Sequence, residues 1–205
     1  VFPAQHLITE PVTEWLAARL KPGQKLGIDA MLHTVREVHR LREICKEAGA
    51  ELITLQDNPV DAVWADRPEP PIGQVMLYPT ELAGRGSEDK IAEIQKAIQD
   101  KKADACVLTQ PDSIAWLFNI RGSDVTHTPL PLSFATVPAE GEPSLYIDGR
   151  KLSNSVRDAL ADLTEISEPV DFQGGLKTLG TEGKKVIIDP SLAGIGIAEA
   201  ITDAG

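Results

Sequence analysis

The sequence predicts an α/β protein built from two α/β/α domains with mixed sheets, the first of them partial. Three observations support this fold class. Short apolar strands alternate with amphipathic helices, the segment 16–49 recurs as a repeat at 176–205, and a proline-rich linker at 56–78 separates the two copies. We therefore expect one domain at 1–78, which includes the linker, and a second at 79–205.

The first repeat copy contains two helices and two strands. Thr34 and Glu37 have the spacing of a capping box, and Gly49 is a natural C-terminal stop. The linker that follows is expected to be extended and to stay outside a central sheet, because proline fixes φ and lacks an N–H donor. The predicted elements are a helix at 13–20, a strand at 25–29, a helix from Thr34 to Gly49 and a strand at 51–55.

The second domain contains further helices, strands and one hairpin. Ser87 is expected to cap its helix, with Glu88 and Asp89 at the positive end of the helix dipole. The hairpin adds antiparallel pairing to a sheet whose other connections are crossovers, so the sheet is mixed. The predicted elements are a helix from Ser87, a strand at 104–109, a helix from 111, hairpin strands at 131–138 and 144–148, a helix at 153–163 and a strand at 185–189.

The repeat also bears on how much of the protein this chain contains. In both copies a helix, a turn, a strand ending in Ile-Asp, a loop and a helix follow one another. A strand follows the first copy, whereas the second copy reaches Gly205, and the region 87–171 has no counterpart before Val1. We expect a segment of a longer protein, whose uncovered strand edges favour a homo-oligomer.

The composition excludes several classes of function. The 205 residues carry a formal charge of −11, with 42% hydrophobic and 25% charged residues, which is typical of a soluble globular protein. There is no basic stripe for nucleic acid and no apolar run near the ~20 residues of a membrane-spanning helix. We expect a cytoplasmic protein that binds neither nucleic acid nor membranes.

Most residues that could bind a metal or act in catalysis are interpreted as structural. Cys45 and Cys106 lie in apolar patterns and are expected to be buried thiols. His33 and His39 miss the helical spacing of paired metal ligands. No metal site and no cofactor are therefore expected in this segment.

Two glycine motifs and two strand-terminal carboxylates give weak signals. Gly194 and Gly196 lack the third glycine of a dinucleotide-binding turn. The segment 84–86 precedes a helix and could receive an anion there, although an ordinary turn is favoured. Asp29 and Asp189 each end a strand and are interpreted as turn or capping residues.

The densest group of polar residues lies at 119–131. Arg121, Asp124 and His127 occur there with glycine and two prolines, the composition of a rigid loop that presents polar groups. Two interpretations stay open: an ion pair between Arg121 and Asp124 that holds the loop, or a loop that faces a partner or substrate. These three residues are the candidate binding residues, and no catalytic residue is identified.

The sequence around this loop resembles a known family. Residues 112–124, which include Ala-Trp-Leu and Asn-Ile-Arg-Gly-Ser-Asp, are similar to the second domain of the three-domain Xaa-Pro aminopeptidases. So are 127–129 and 133–135, while 58–68 resembles the stretch between domains and 27–29 a strand end of the first domain. The resemblance covers nearly the whole chain.

The resemblance implies two creatinase-type N-terminal domains with a ribonuclease H-like fold, followed by a pita-bread metallopeptidase domain. In that domain two Asp, one His and two Glu hold two divalent ions, commonly manganese, and the enzyme removes the residue before proline from short peptides. We expect none of these five ligands in this chain. Its implied role is to pack on its own catalytic domain and gate the entrance, with Arg121, Asp124 and His127 on the loop that faces it.

Three alternatives stay open. The chain could be a region of a prolidase or creatinase, although those enzymes generally have two domains and lack this duplication. It could also be a noncatalytic protein-interaction module derived from the same fold. An unrelated α/β domain that binds a small molecule is favoured only by Gly194 and Gly196.

Overall fold

Two units make up the chain in a computed structural model that describes residues 4–55 and 57–205. Residues 68–78, which the sequence analysis placed in the linker of the first domain, group with the second unit. The units consist of Val1–Arg67 with Pro190–Gly196, and of Pro68–Asp189 with Ile197–Gly205.

The first unit is a small α/β layer. Its two strands run parallel, with Lys25 opposite Glu51, and α2 buries Val38 and Leu41 together with Ile28 of the first strand. The buried residues Val38, Leu41 and Cys45 recur at helical spacing and so form one apolar face of α2. The elements are α1 (Val12–Ala17), β1 (Lys25–Asp29), α2 (Val35–Ala48), β2 (Glu51–Leu55) and α3 (Pro59–Val63).

Local signals set both ends of α2 as predicted. The Thr34 hydroxyl accepts a hydrogen bond from the Glu37 amide (3.2 Å), and the Glu37 carboxylate accepts one from the Thr34 amide (2.8 Å). Gly49 ends the helix with a φ of 68°, which glycine adopts without the steric cost of a Cβ.

The second unit contains a five-stranded mixed sheet in the order β8-β7-β6-β4-β9. The β6–β7 hairpin and the β4–β6 pair are antiparallel, whereas β4–β9 and β7–β8 are parallel. This confirms the predicted hairpin and mixed sheet. The strands are β3 (Met76–Leu77), β4 (Ala105–Leu108), β5 (Ile120–Arg121), β6 (Phe134–Pro138), β7 (Ser144–Tyr146), β8 (Glu165–Ser167) and β9 (Val186–Ile187).

Helices cover this sheet. One buried cluster joins Cys106, Ala135 and Leu145 of the strands to helical residues such as Ile114 and Leu160. Within the described part of the chain, no helix is long and apolar enough to cross a membrane. The helices of this unit are α4 (Thr80–Ala83), α5 (Ser87–Asp100), α6 (Pro111–Leu117), α7 (Asn154–Ala161) and α8 (Phe172–Thr181). A last helix, α9 (Ile195–Thr202), has its first two residues in the first unit and the others in the second.

A stacked aromatic pair lies against the sheet at α8. The rings of Phe134 and Phe172 are 4.3 Å apart and nearly parallel, and Tyr146 meets Phe172 edge-on at 5.2 Å. A Cβ on Gly175 would collide with the Tyr146 hydroxyl, so glycine lets α8 approach the strand closely. The apolar surface that these two rings bury helps to hold α8 against the sheet.

The structure corrects two local expectations. The linker is not extended throughout: α3 begins after Asn58, whose side chain accepts a hydrogen bond from the Val60 amide, and β3 pairs antiparallel with β5, outside the five-stranded sheet. Ser87 is the first residue of α5 and does not cap it, because the extended N-cap position belongs to Gly86.

Candidate functional site

A buried lysine fixes the turn that leads into the predicted loop. Lys90 on α5 is 1% exposed, and its Nζ donates hydrogen bonds to the Trp116 carbonyl oxygen (2.8 Å) and to Asn119 Oδ1 (2.6 Å). Asn119 adopts a φ of 48° and donates to the Arg85 carbonyl oxygen (2.8 Å). Burial lowers the pKa of Lys90, and the nearby guanidinium groups of Arg85 and Arg121 act in the same direction.

Arg121 extends from β5 and does not pair with Asp124, so the predicted ion pair between them is wrong. Its guanidinium carbon lies 4.1 Å from the centre of the Tyr78 ring, a cation–π geometry. Its Nη1 donates to the carbonyl oxygens of Ile120 (2.8 Å) and Ala115 (3.4 Å). These contacts hold the half-buried side chain against Tyr78, which follows β3, and against α6.

Asp124 instead forms a buried ion pair with Lys151. Asp124 Oδ2 lies 2.6 Å from Lys151 Nζ, and the exposed fractions of the two side chains are 0% and 5%. The carboxylate also accepts hydrogen bonds from the backbone amides of Gly73 (2.9 Å) and Leu132 (2.7 Å). Asp124 therefore joins three segments that are distant in sequence, and its charge is used inside the fold.

Close packing closes the base of the loop. The Gly122 amide donates to the Pro129 carbonyl oxygen (3.2 Å), and a Cβ on Gly122 would lie 2.8 Å from the Pro131 nitrogen. A Cβ on Gly73 would lie 2.8 Å from the Ser123 carbonyl carbon. Because only glycine fits at these two approaches, the loop has one tightly defined path.

His127 lies at the exposed tip of this loop. A two-residue turn joins Val125 to Thr128, whose amide donates to the Val125 carbonyl oxygen (3.1 Å). His127 has a φ of 61°, a conformation that non-glycine residues adopt at an energetic cost. Asp124 and His127 thus share the loop that follows β5, whereas Arg121 ends the strand itself, and of the three only His127 is exposed.

A pocket of about 520 Å³ opens beside the loop base. Four prolines and Phe134 are half of the ten residues that line it, and Leu132 and Lys151 connect it to the ion pair described above. Asp148, also in the wall, accepts hydrogen bonds from Arg150 at 2.6–3.1 Å, which lower its pKa from 3.8 to about 2. The four prolines are Pro70, Pro71, Pro111 and Pro169.

The other sequence signals have structural explanations. Asp29 Oδ1 accepts a hydrogen bond from the Met31 amide (2.8 Å), which is the predicted turn role. Gly194 and Gly196 pack against the backbone at Ala30, where a Cβ on Gly194 would lie 2.9 Å from the carbonyl oxygen. The glycine pair therefore serves a close backbone approach.

Neither cysteine has the exposed thiol of lowered pKa that a reactive cysteine needs. Cys45 and Cys106 are free and buried, as predicted, and burial raises the pKa of both thiols, that of Cys106 to about 11. Among residues 4–55 and 57–205, no group of three or more His, Cys, Asp or Glu side chains could hold a metal ion. The described residues thus do not fit a two-ion centre.

Sequence reasoning missed both lysines that organise this region. Lys90 could have been found, because it falls on the same helical stripe as Ile94 and Ile98 and so had to be buried. Lys151 follows Gly149 and Arg150 in a turn, and nothing local distinguishes it from a solvated lysine. Its partner Asp124 lies 27 positions earlier in the chain.

Comparison with known proteins identifies the family. The family model described as the Creatinase/Prolidase N-terminal domain matches residues 66–205. The chain belongs to this family. The predicted resemblance to the N-terminal region of Xaa-Pro aminopeptidases, and the α/β fold with mixed sheets that it implies, are confirmed.

The relatives are peptidases of much greater length. A protein of Paracoccidioides lutzii named "Probable Xaa-Pro aminopeptidase P" is 37% identical over 169 residues, which cover 82% of this chain and 27% of that protein. A protein of Arthroderma gypseum with the same name is 40% identical over 149 residues, which cover 72% of this chain and 23% of that protein. The chain thus spans about a quarter of the length of these curated relatives.

A solved structure matches almost the whole chain. The crystal structure of X-prolyl aminopeptidase from Caenorhabditis elegans, described as a cytosolic enzyme with a di-nuclear active site, has a TM-score of 0.85 and 28% identity. The match covers 94% of this chain and 32% of that enzyme.

Proposed function

We propose that this chain is the non-catalytic N-terminal region of a metal-dependent Xaa-Pro aminopeptidase. In this role it packs on the catalytic domain of its own parent protein and limits access to short proline-containing peptides. One observation carries the proposal: the match to X-prolyl aminopeptidase covers 94% of this chain but 32% of that enzyme. A region so similar throughout, and so much shorter, acts as one part of such an enzyme.

In this proposal the remainder of the parent protein carries out the peptidase reaction. Because the described residues do not fit a two-ion centre, we place the two divalent ions, commonly manganese, in the catalytic domain. They would supply a metal-activated hydroxide at neutral pH. The parent would be cytoplasmic, like its nematode relative, which is described as cytosolic.

The proposed gate is the loop 122–133. A gate that selects by size must keep its shape, and here a buried ion pair and two glycine contacts hold the loop base. The tip, with His127, is exposed and can face a neighbouring domain, while Arg121 orders the strand that leads into the loop. Asp124 would act only by positioning, because its side chain is 0% exposed.

Activity of the chain and of its full-length parent separates these roles. Each protein is incubated with a tripeptide that has proline second, with manganese and with a chelator. We expect metal-dependent release of the N-terminal residue by the parent and none by the chain alone. Turnover by the chain alone, or a parent that stays inactive with manganese, would contradict the proposal.

The gate is tested in the full-length parent by the substitution His127→Ala. We expect kcat/KM for a proline-containing decapeptide to rise about twofold to fivefold relative to that for the tripeptide. Removal of an entry barrier of up to about 1 kcal/mol changes kcat/KM by this factor. His39→Ala is the matched control, because His39 is also an exposed histidine but lies on α2. An unchanged ratio in the His127 variant would exclude a gating role for the tip.

A further inference from the structure

Lys90 is a buried cation whose partners are not carboxylates. Its side chain is 1% exposed, and its Nζ donates to the Trp116 carbonyl oxygen and to Asn119 Oδ1. No carboxylate pairs with it in the part of the chain that the structure describes. An aliphatic side chain would fill this place on α5 without the cost of burying a charge. The ammonium is therefore stable here only through the groups that surround it.

Three acceptors match the three N–H donors of the ammonium. Besides the two oxygen atoms, the centre of the Trp116 ring lies 4.7 Å from Lys90 Nζ, a cation–π geometry. An uncharged side chain of the same length would leave Asn119 Oδ1 and the ring without this partner. The site thus depends on the charge of Lys90 and not only on its volume.

The ammonium also neutralises the end of a neighbouring helix. Trp116 lies in the last turn of α6, where the helix dipole places partial negative charge. Helix α6 has no basic residue of its own in that turn. Lys90 supplies the cation from α5.

These contacts hold the turn between α6 and β5. Asn119 has a φ of 48°, which costs energy in a non-glycine residue unless its surroundings hold it. Its Oδ1 accepts from Lys90, and its Nδ2 donates to the Arg85 carbonyl oxygen (2.8 Å). Its own carbonyl oxygen accepts from the Tyr78 amide (2.6 Å). Strand β5 begins at the next residue and leads directly into the loop 122–133.

We propose that Lys90 is a positioning residue of the gate: its ammonium, through Asn119, sets the direction in which the chain enters the loop 122–133. Both of its hydrogen bonds end before the loop begins, so its effect on the loop is indirect. The inference rests on the proposed function for its effect on substrates, but not for its effect on the loop.

Lys90→Met tests the positioning role in this chain. Methionine keeps an unbranched side chain in the helix face but carries no charge. Amide hydrogen exchange, resolved by NMR, should accelerate about tenfold or more at Tyr78 and Gly122, because the turn loses a hydrogen bond to a charged group. Amides of α2 should be unchanged. Lys96→Met is the matched control, since Lys96 is an exposed lysine on the same helix and should change none of these rates.

A second variant shows whether Lys90 acts through Asn119. Asn119→Gly keeps a positive φ accessible but removes both side-chain hydrogen bonds, so the same amides should exchange faster. Adding Lys90→Met should accelerate exchange by less than the product of the two single effects. A full product would overturn the route through Asn119. If circular dichroism shows that Lys90→Met is unfolded, Asn119→Gly alone decides, and unchanged exchange there overturns the inference.

The full-length parent separates this inference from the proposed function. There Lys90→Met should raise kcat/KM for the proline-containing decapeptide about twofold to fivefold relative to the tripeptide, through a lower KM, while kcat for the tripeptide stays unchanged.

The possible outcomes are distinct. Unchanged exchange at Tyr78 and Gly122 in Lys90→Met would overturn this inference and leave the gate standing. So would a peptide ratio that rises in His127→Ala but not in Lys90→Met. Faster exchange with an unchanged ratio in both variants would overturn the gate and leave Lys90 as the residue that positions the loop.

Discussion

Replacement of Lys151 by methionine isolates the buried ion pair with Asp124. The Asp124 side chain is 0% exposed and that of Lys151 5%, so Lys151→Met leaves a carboxylate in the interior without its counter-charge. Loss of one partner of such a pair costs about 3–5 kcal/mol. Asp124→Ala should cost about as much or more, because the amides of Gly73 and Leu132 also lose their acceptor.

The double variant is the decisive measurement. With both charges removed, only the unpaired backbone groups remain, and we expect a loss of about 2–3 kcal/mol, smaller than in either single variant. Urea unfolding followed by circular dichroism gives the free energies. Lys184→Met is the matched control, since Lys184 pairs with Glu182 at the surface and should cost less than about 1 kcal/mol. If the loss in the double variant equals the sum of the two single-variant losses within about 0.5 kcal/mol, the two side chains do not interact and the buried-pair reasoning is refuted.

Three further predictions concern single side chains. Burial raises the pKa of Cys106 to about 11, so neither Cys106 nor the buried Cys45 should react with iodoacetamide near pH 8 unless urea is added; mass spectrometry of the folded chain that finds rapid labelling would contradict this. Hydrogen bonds from Arg150 lower the pKa of Asp148 from 3.8 to about 2, so its carboxylate stabilises the fold above about pH 4 and this contribution disappears as the pH falls toward 2. The gap in urea midpoint between wild type and Asp148→Asn should therefore be constant at neutral pH and close in acid, and a gap that widens in acid would reverse the assigned sign. His127 has a φ of 61°, so His127→Val should lower the free energy of unfolding by about 1 kcal/mol and His127→Gly should change it by less; equal losses in both variants would show that φ is not the cause.

Local chemistry explains which elements the sequence predicted well. The capping box of Thr34 and Glu37 joins residues three positions apart, and the β6–β7 hairpin joins neighbouring strands. The repeated order of helix, strand and helix also follows from periodicity alone. Ser87 shows the limit of such signals: a good capping residue sits one position inside the helix, because the chain enters α5 through an extended Gly86.

The structure has a loop after β5 where the sequence predicted one, but the predicted contacts within it are wrong. Nearness in sequence suggested an ion pair of Arg121 with Asp124, whereas the fold brings Lys151 and Gly73 to the carboxylate. Arg121 turns to the Tyr78 ring instead. Whether this loop faces a catalytic domain stays a prediction.

The sequence by itself determined the fold class, the caps of α2 and the family, because each depends on short-range periodicity or on a contiguous motif. Only the tertiary structure decided which charges are buried and which partners they have. Lys151 and Asp124 are 27 positions apart, and Gly73 is 51 positions from Asp124. A buried charge is stable only beside its counter-charge, and residues so distant become neighbours only when the sheet and its helices close around them.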